Sequence, residues 1–219
     1  MSTLTPYYQR RVSEQLSFSK ASVQKFLRKP EELTTEQAKG IVGTYRLAIE
    51  PNFIPWMKLA ERTVDNGKAR ELIAQNIRDE IKDNHPLMLR QFAKNCGVHI
   101  NDDDYDRALE PVVNMWRLFA EDSSIMNLAV AATLENTSLV FVPYLAELGK
   151  KLGCQDFQYT EKHGQADVKH ADELAEGLVE EIVARKLQRK DSMLPLVSAV
   201  DRTVEFLQVI LTPNPIQQT

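Results

Sequence analysis

Apolar residues recur every three to four positions along nearly the whole chain, and no stretch shows the strict alternation of a half-buried strand, so the pattern predicts helices throughout. Over residues 7–28 the series Val12, Leu16, Val23, Phe26 and Leu27 reads as one or two helices, closed at Lys29-Pro30 because proline pushes its predecessor out of the α region. Thr34 or Thr35 caps the next helix, with Gln37 placed for a capping box, and Ile41, Tyr45, Leu47 and Ile49 carry it to Pro51. Pro51 and Pro55 should kink or interrupt the helix before Trp56 and Leu59 resume the pattern. After the turn signal Asp65-Asn66-Gly67, residues 68–81 form a helix with Leu72, Ile73, Ile77 and Ile81 expected to face inward. That helix must falter before Pro86, at His85.

A short helix over residues 87–96 follows, ended by Gly97. The run Asn101-Asp102-Asp103-Asp104 reads as the acidic start of a helix reaching Phe119, since carboxylates there complement the helix dipole. It lacks the spacing and closing glutamate of an EF-hand loop. Residues 124–152 form the most apolar helix, with Leu128, Ala131, Ala132, Leu139, Val142, Leu145 and Leu148. A break over residues 153–156 precedes a helix to about Arg185 or Lys190, and a last helix over residues 192–211 leads to a polar tail, residues 213–219. The fold class this implies is an all-α, single-domain bundle of about seven or eight helices over residues 1–219.

Two features break the amphipathic pattern. Glu135 sits inside the most apolar helix, where an unpaired carboxylate costs several kcal/mol, on the order of the effective penalty for a buried ion. It therefore needs a cation or a proton: a lysine or arginine from a neighbouring helix, or a metal. The second feature is His163, Asp167 and His170, at i, i+4 and i+7, which a helix of about 3.6 residues per turn places on one face. Two imidazoles and a carboxylate projecting the same way make half of a first-row metal site. With Glu80 and His85 the inventory becomes three carboxylates and three imidazoles from three helical regions, suited to two ferrous or manganous ions. No Glu-x-x-His pair of the ferritin kind occurs, and the only carboxylate-x-x-His is Asp167/His170.

The residues 43% hydrophobic and the formal net charge of -4 describe a globular chain whose basic residues are scattered, so no nucleic-acid partner is expected. Cys96 and Cys154 stand far apart in sequence with no CxxC, which suggests neither a disulfide framework nor a zinc-thiolate site. Without a signal-like apolar run at the N-terminus or an uncharged span of about 18 residues, the expectation is a cytoplasmic protein with no membrane partner.

The run Asn76-Ile77-Arg78-Asp79-Glu80 with His85, the helix-buried Glu135, and His163-x3-Asp167-x2-His170-Ala171 together resemble the haem-oxygenase-like dimetal oxidases. Among them the resemblance is to the CADD-like proteins, named after the chlamydial death-domain-associating protein, on a fold shared with TenA- and PqqC-like proteins. It covers about residues 33–173, including Tyr45-Arg46-Leu47 and Phe53-x-Pro55. It implies that Glu80, His85, Glu135, His163, Asp167 and His170 ligate two Fe(II), or an Fe/Mn pair. It further implies dioxygen as cosubstrate, an external reductant where the reaction needs one, and a homodimer. The implied activity is oxidation of a small carboxylate-bearing metabolite, an amino acid or derivative, by N-oxygenation, desaturation or C–C cleavage in a biosynthetic pathway. Oxidative decarboxylation of a fatty acid is the alternative within the family.

Two departures accompany the resemblance. The Glu80 to His85 gap is short and does not share one regular helix face; a break at Pro86 would repair it and leaves Asp83 as a competing ligand. Lys25 and Phe26 stand where the p-aminobenzoate-forming member has a sacrificial tyrosine, which speaks against that reaction. Glu50, a candidate extra ligand, precedes a proline and reads better as a helix end. From other classes, a metal-free TenA-like hydrolase needs a placed cysteine, and a non-enzymatic helical interaction protein needs no site at all. Phe53, Trp56, Phe119, Phe141 and Tyr144 could line an apolar pocket, and Tyr45, Arg46 or Arg78 could meet a carboxylate if they point inward.

Overall fold

Helix α7, Ser124–Lys151, is the axis around which the other helices are laid. Residues 124–138 are buried without interruption, so this helix is apolar all round rather than amphipathic, the pattern of a helix enclosed on every side. By length and composition it could cross a membrane, yet 89% of its most apolar window is covered by other helices. Leu128, Leu145 and Leu148 are fully buried, and each such side chain contributes about 1.5–3 kcal/mol relative to exposure.

The computed structural model describes residues 5–121, 123–185 and 189–213, and among these there are nine α-helices, one 3₁₀ turn and no strand. Helix α1 (Thr5–Phe26) and the turn Pro30–Glu32 lead to α2 (Thr35–Ile49). The capping box is formed: the Gln37 N–H donates to Thr34 Oγ1 at 3.1 Å and the Thr34 N–H to Gln37 Oε1 at 2.9 Å. The Pro51/Pro55 interruption is complete, and α3 (Phe53–Thr63) is a separate helix with Pro55 in its first turn, where a missing N–H costs nothing. This split is one reason the bundle has more helices than the seven or eight expected.

Helix α4 (Gly67–Asp83) ends at Asn84, whose left-handed backbone (φ 55°) is tolerated by asparagine and closes the last turn. Helix α5 (His85–Asn95) then starts at once, with Pro86 in its first turn. The face α4 turns inward is Ala69, Ile73, Asn76, Ile77 and Glu80. Ile81, expected inside, is 53% exposed, because the polar pair Asn76 and Glu80 takes the inward positions and rotates it to solvent.

Helix α6 (Asp102–Ala120) opens with the expected acidic cap; Asn101 Oδ1 accepts from the Asp104 N–H at 3.0 Å, and Asp104 Oδ2 from the Asn101 N–H at 3.1 Å. Helices α8 (Gln158–Ala184) and α9 (Arg189–Leu211) complete the chain, and both lie along α7 with α1. Gly149 on α7 makes room for Phe92 of α5 and for Phe157 just before α8: a Cβ there would stand 2.9 Å from Phe92 Cε2 and 3.1 Å from Phe157 Cε1. The tail beyond Pro213 lies outside the described residues.

Candidate metal centre

Each element delivers its polar group for a local reason. On α8 the helical period stacks Tyr159, His163 and Asp167 at successive i+4 positions, with His170 one turn on, and all four are buried. On α4 Glu80 closes the inward face. The left-handed turn at Asn84 folds α5 back so that His85, five residues on, returns to Glu80. On α7 Glu135 points into the same space from the enclosed helix.

His85 Nδ1 lies 2.6 Å from Glu80 Oε1, and His163 Nδ1 lies 2.9 Å from Asp167 Oδ1. The tilted His85 and His163 rings lie 4.3 Å apart between centroids, and the Tyr159 ring lies 4.5 Å from that of His163. His170 Nδ1 stands 3.6 Å from Glu135 Oε1. Two groups emerge, each offering ligand atoms within 4.8 Å of one another: Glu80 with His85 and His163, and Glu80 with Glu135 and His170. Glu80 belongs to both. Asp167 is in neither; it stands behind His163, holding the imidazole by Nδ1, while its own Oδ2 has no partner. Asp83 reaches only to 4.0 Å from His85 Nε2 and is partly exposed.

Buried polar groups in folded proteins are almost always paired. Here His85 Nε2, His163 Nε2, His170 Nδ1, Glu135 Oε1 and Asp167 Oδ2 are all buried without a hydrogen-bond partner. Among the described residues no lysine or arginine meets Glu135, so the salt bridge that would have made it an ordinary core charge does not form. Burial, with Asp167 and Glu80 nearby, pushes its carboxyl up to about 7. For His170 burial acts the other way, but Glu135, Glu80 and Asp79 outweigh it and raise the imidazole to about 9. His163 is also raised, against its burial, by Asp167 and then by Glu80 and Glu135. Orphaned nitrogens and oxygens under surplus negative charge fit divalent cations, with imidazole and carboxylate donors of the kind iron and manganese accept.

A narrow cavity of about 40 Å³ opens onto this cluster. Its wall is mostly apolar, with Ile49, Phe53, Pro86, Leu89, Leu134 and Phe141, and Tyr45 and Tyr159 join in it through a 2.8 Å bond between hydroxyls. Burial raises both phenols, so they stay protonated. Of the other aromatic candidates, Trp56 stacks on Phe119 at 6.0 Å in the core and Tyr144 lies away from the cavity. Glu50, at the cavity mouth, is turned to Arg46, whose Nε donates to its Oε2 at 2.6 Å, and to Arg90 on α5, whose Nε donates to Oε1 at 2.7 Å. Arg78 points away, to Glu71 and Gln75.

Two contributors were not singled out in the sequence. Tyr159 could have been found, since it precedes His163 by one helical turn. Asp79, whose Oδ2 stands 3.5 Å from His170 Nε2, could not, because its partner is 91 residues away.

The family described as "iron-containing redox enzyme" matches residues 46–199. That span contains Glu80, His85, Glu135, His163, Asp167 and His170. Among solved structures, the chain is similar to a TenA homologue from Pseudomonas syringae pv. tomato str. DC3000, with a TM-score of 0.62 over 93% of this chain and 90% of that one. Identity there is 16%, so the likeness is one of fold. No curated protein matches the sequence.

Proposed function

Because the chain belongs to the iron-containing redox enzyme family, we propose that its buried cluster holds two ferrous ions and serves a non-haem oxidase that uses dioxygen. Its substrate in this reading is a small carboxylate-bearing metabolite, an amino acid or a derivative of one. The observation that supports it is that Glu80 belongs to both overlapping groups of buried donors, and in this reading its carboxylate would serve both ions. His85 and His163 would serve one ion, Glu135 and His170 the other. Asp167 would orient His163 and offer Oδ2 as a further oxygen donor. Bound there, the ions would supply the electrons and the Lewis acidity for oxidation by dioxygen.

The chain's own residues define the rest. The apolar wall excludes water from the donors, which strengthens every charge interaction inside it. The cavity admits a molecule the size of dioxygen, and a larger substrate must enter past Glu50, Phe53 and Pro86. At that mouth Glu50 with Arg46 and Arg90 carries a net positive charge, which suits a carboxylate rather than an amine. A thiol hydrolase of the TenA kind is disfavoured: Cys96 and Cys154 are buried, neither lines the cavity, and burial together with Cys154 pushes the Cys96 thiol up, away from the reactive thiolate.

The test is an anaerobic titration of the metal-free protein with ferrous iron, then rapid mixing with dioxygen, repeated over amino acids and fatty acids. Two irons per chain and a transient visible absorption that decays faster with amino acids support the reading. Faster decay with fatty acids alone would transfer the assignment to an oxidative decarboxylase. No iron uptake would overturn it.

A further inference from the structure

Three charged side chains meet where the cavity opens. Glu50, the residue that ends α2, lines the cavity, and its carboxylate is divided between two arginines. Oε2 accepts from Nε of Arg46, one helical turn back, at 2.6 Å, and Oε1 accepts from Nε and Nη2 of Arg90 on α5. Arg90 stands one turn after Pro86, which lines the same opening, so the helical period sets both on one side of α5. The Arg46 side chain is 24% exposed and that of Arg90 59%, against 10% for Glu50. An ion pair to so exposed a partner as Arg90 contributes little. Arg90 can therefore let go of Oε1 while Arg46 keeps Oε2, and the mouth then presents a free guanidinium beside a free carboxylate oxygen. That is the complement of a zwitterion, an α-carboxylate beside an α-ammonium.

Further in, the other carboxylates among the described residues that line the cavity are Glu80 and Glu135, both members of the donor groups, and the phenol hydroxyls are bonded to each other. A cationic side chain reaching inward would lie among Phe53, Leu89, Leu134 and Phe141 with no counter-charge of its own, and a buried unpaired charge is costly. The volume of about 40 Å³, at roughly 10–15 Å³ per water, holds about three waters, the bulk of a side chain of about three or four carbons. We propose that the substrate is an amino acid with a short apolar side chain, its carboxylate on Arg90 and its ammonium on Glu50 at the mouth, and its side chain directed inward to the donors. This rests on the reading of the cluster as an oxidising metal centre and narrows the metabolite that centre acts on. A basic amino acid is set aside because its side chain finds no inward counter-charge. A fatty acid is set aside because it brings no ammonium for Glu50 and is too long for the cavity.

Calorimetric titration of the full chain, metal-free and again after anaerobic loading with ferrous iron, reads this without turnover. Leucine should bind. Leucinamide, which lacks the carboxylate, and lysine, which brings a cationic side chain, should each bind at least about tenfold more weakly. Arg90→Ala should weaken leucine binding at least about tenfold and abolish the preference over leucinamide, with Arg90→Lys recovering part of the loss. Glu50→Gln should act in opposite directions on two probes. Leucine should bind more weakly, having lost the partner of its ammonium, and isocaproate, the same molecule without that ammonium, should bind more tightly, because Arg90 is freed from its internal competitor. A merely structural role for Glu50 would move both alike. Equal affinity for leucine and lysine, no leucine binding by the wild type in either state, or the same response of both probes to Glu50→Gln would overturn the proposal. If the chain takes up no iron yet shows the leucine pattern, the metal reading fails and the zwitterion site stands; iron uptake without that pattern keeps the metal centre and removes this substrate class.

Discussion

Asp79 Oδ2 lies 3.5 Å from His170 Nε2, on the opposite edge of the ring from the Nδ1 that faces Glu135 at 3.6 Å. The imidazole is thus held from outside the cluster by a carboxylate that is itself fixed by Gln75, which donates to Oδ1 at 2.8 Å, and by Lys169 at 3.3 Å. Such a contact sets the tautomer and direction of a histidine whose other nitrogen meets a metal.

Asp79→Asn should therefore lower ferrous-iron affinity by roughly 10–100-fold while leaving helix content intact. Anaerobic titration followed by absorbance or calorimetry measures it. Lys169→Ala, which removes an exposed partner of Asp79, should change affinity far less. Equal affinities for wild type and Asp79→Asn would remove the orienting role.

Glu135→Ala or His163→Ala should abolish stoichiometric iron binding, because each leaves one of the two groups with only two donors. Metal analysis after anaerobic loading decides this, and unchanged stoichiometry in both variants would sink the ligand assignment. His99→Ala should keep its iron, since His99 belongs to neither group.

Acid should destabilise the fold in part through Glu181 and Glu50. Burial alone would raise Glu181, but Ser124, the backbone N–H groups of Asn66 and Asp65, and Arg185 outweigh it and hold the carboxyl below its usual range. Arg90 and Arg46 likewise outweigh burial at Glu50. A carboxyl whose folded-state pKa is depressed stabilises the fold above its unfolded value, and the contribution disappears as pH falls through the folded value. Thermal melts from neutral pH into the acid range should show this loss, and Glu181→Gln should show less of it.

Gly149→Ala should destabilise the protein even though alanine is the better helix former by about 1 kcal/mol. The new Cβ would stand 2.9 Å from Phe92 Cε2, and Phe92 is only 1% exposed and has little room to yield. Overpacking of this kind costs about 1–3 kcal/mol, and a chain of this size loses about 2–4 °C in Tm per kcal/mol. Restoring the melting temperature by adding Phe92→Leu would tie the effect to that contact.

Much of the architecture follows from the sequence by itself. The 3.6 period marks the helices, Thr34/Gln37 and Asn101/Asp104 start two of them, and Pro86 announces a break near it, which the structure sets at Asn84 rather than at the expected His85, so that α5 starts two residues before the expected residue 87. The same period places His163, Asp167 and His170 on one face, and an isolated carboxylate in the most apolar helix announces that Glu135 needs a partner. These are local properties, fixed by backbone geometry over one or two turns.

What only the tertiary structure decided is which faces meet. Periodicity allowed Ile81 on the inward side of α4, and the bundle chose Asn76 and Glu80, because that side faces the polar cluster. It also joined Asp79 to His170 across 91 residues, turned Glu50 to Arg90 rather than to the donors, and put Phe53 and Phe141 beside the cavity while Trp56 and Phe119 went to the core. A helix's own sequence sets the angle at which each side chain leaves it; the neighbour that side chain finds is set by how helices distant in sequence pack against one another.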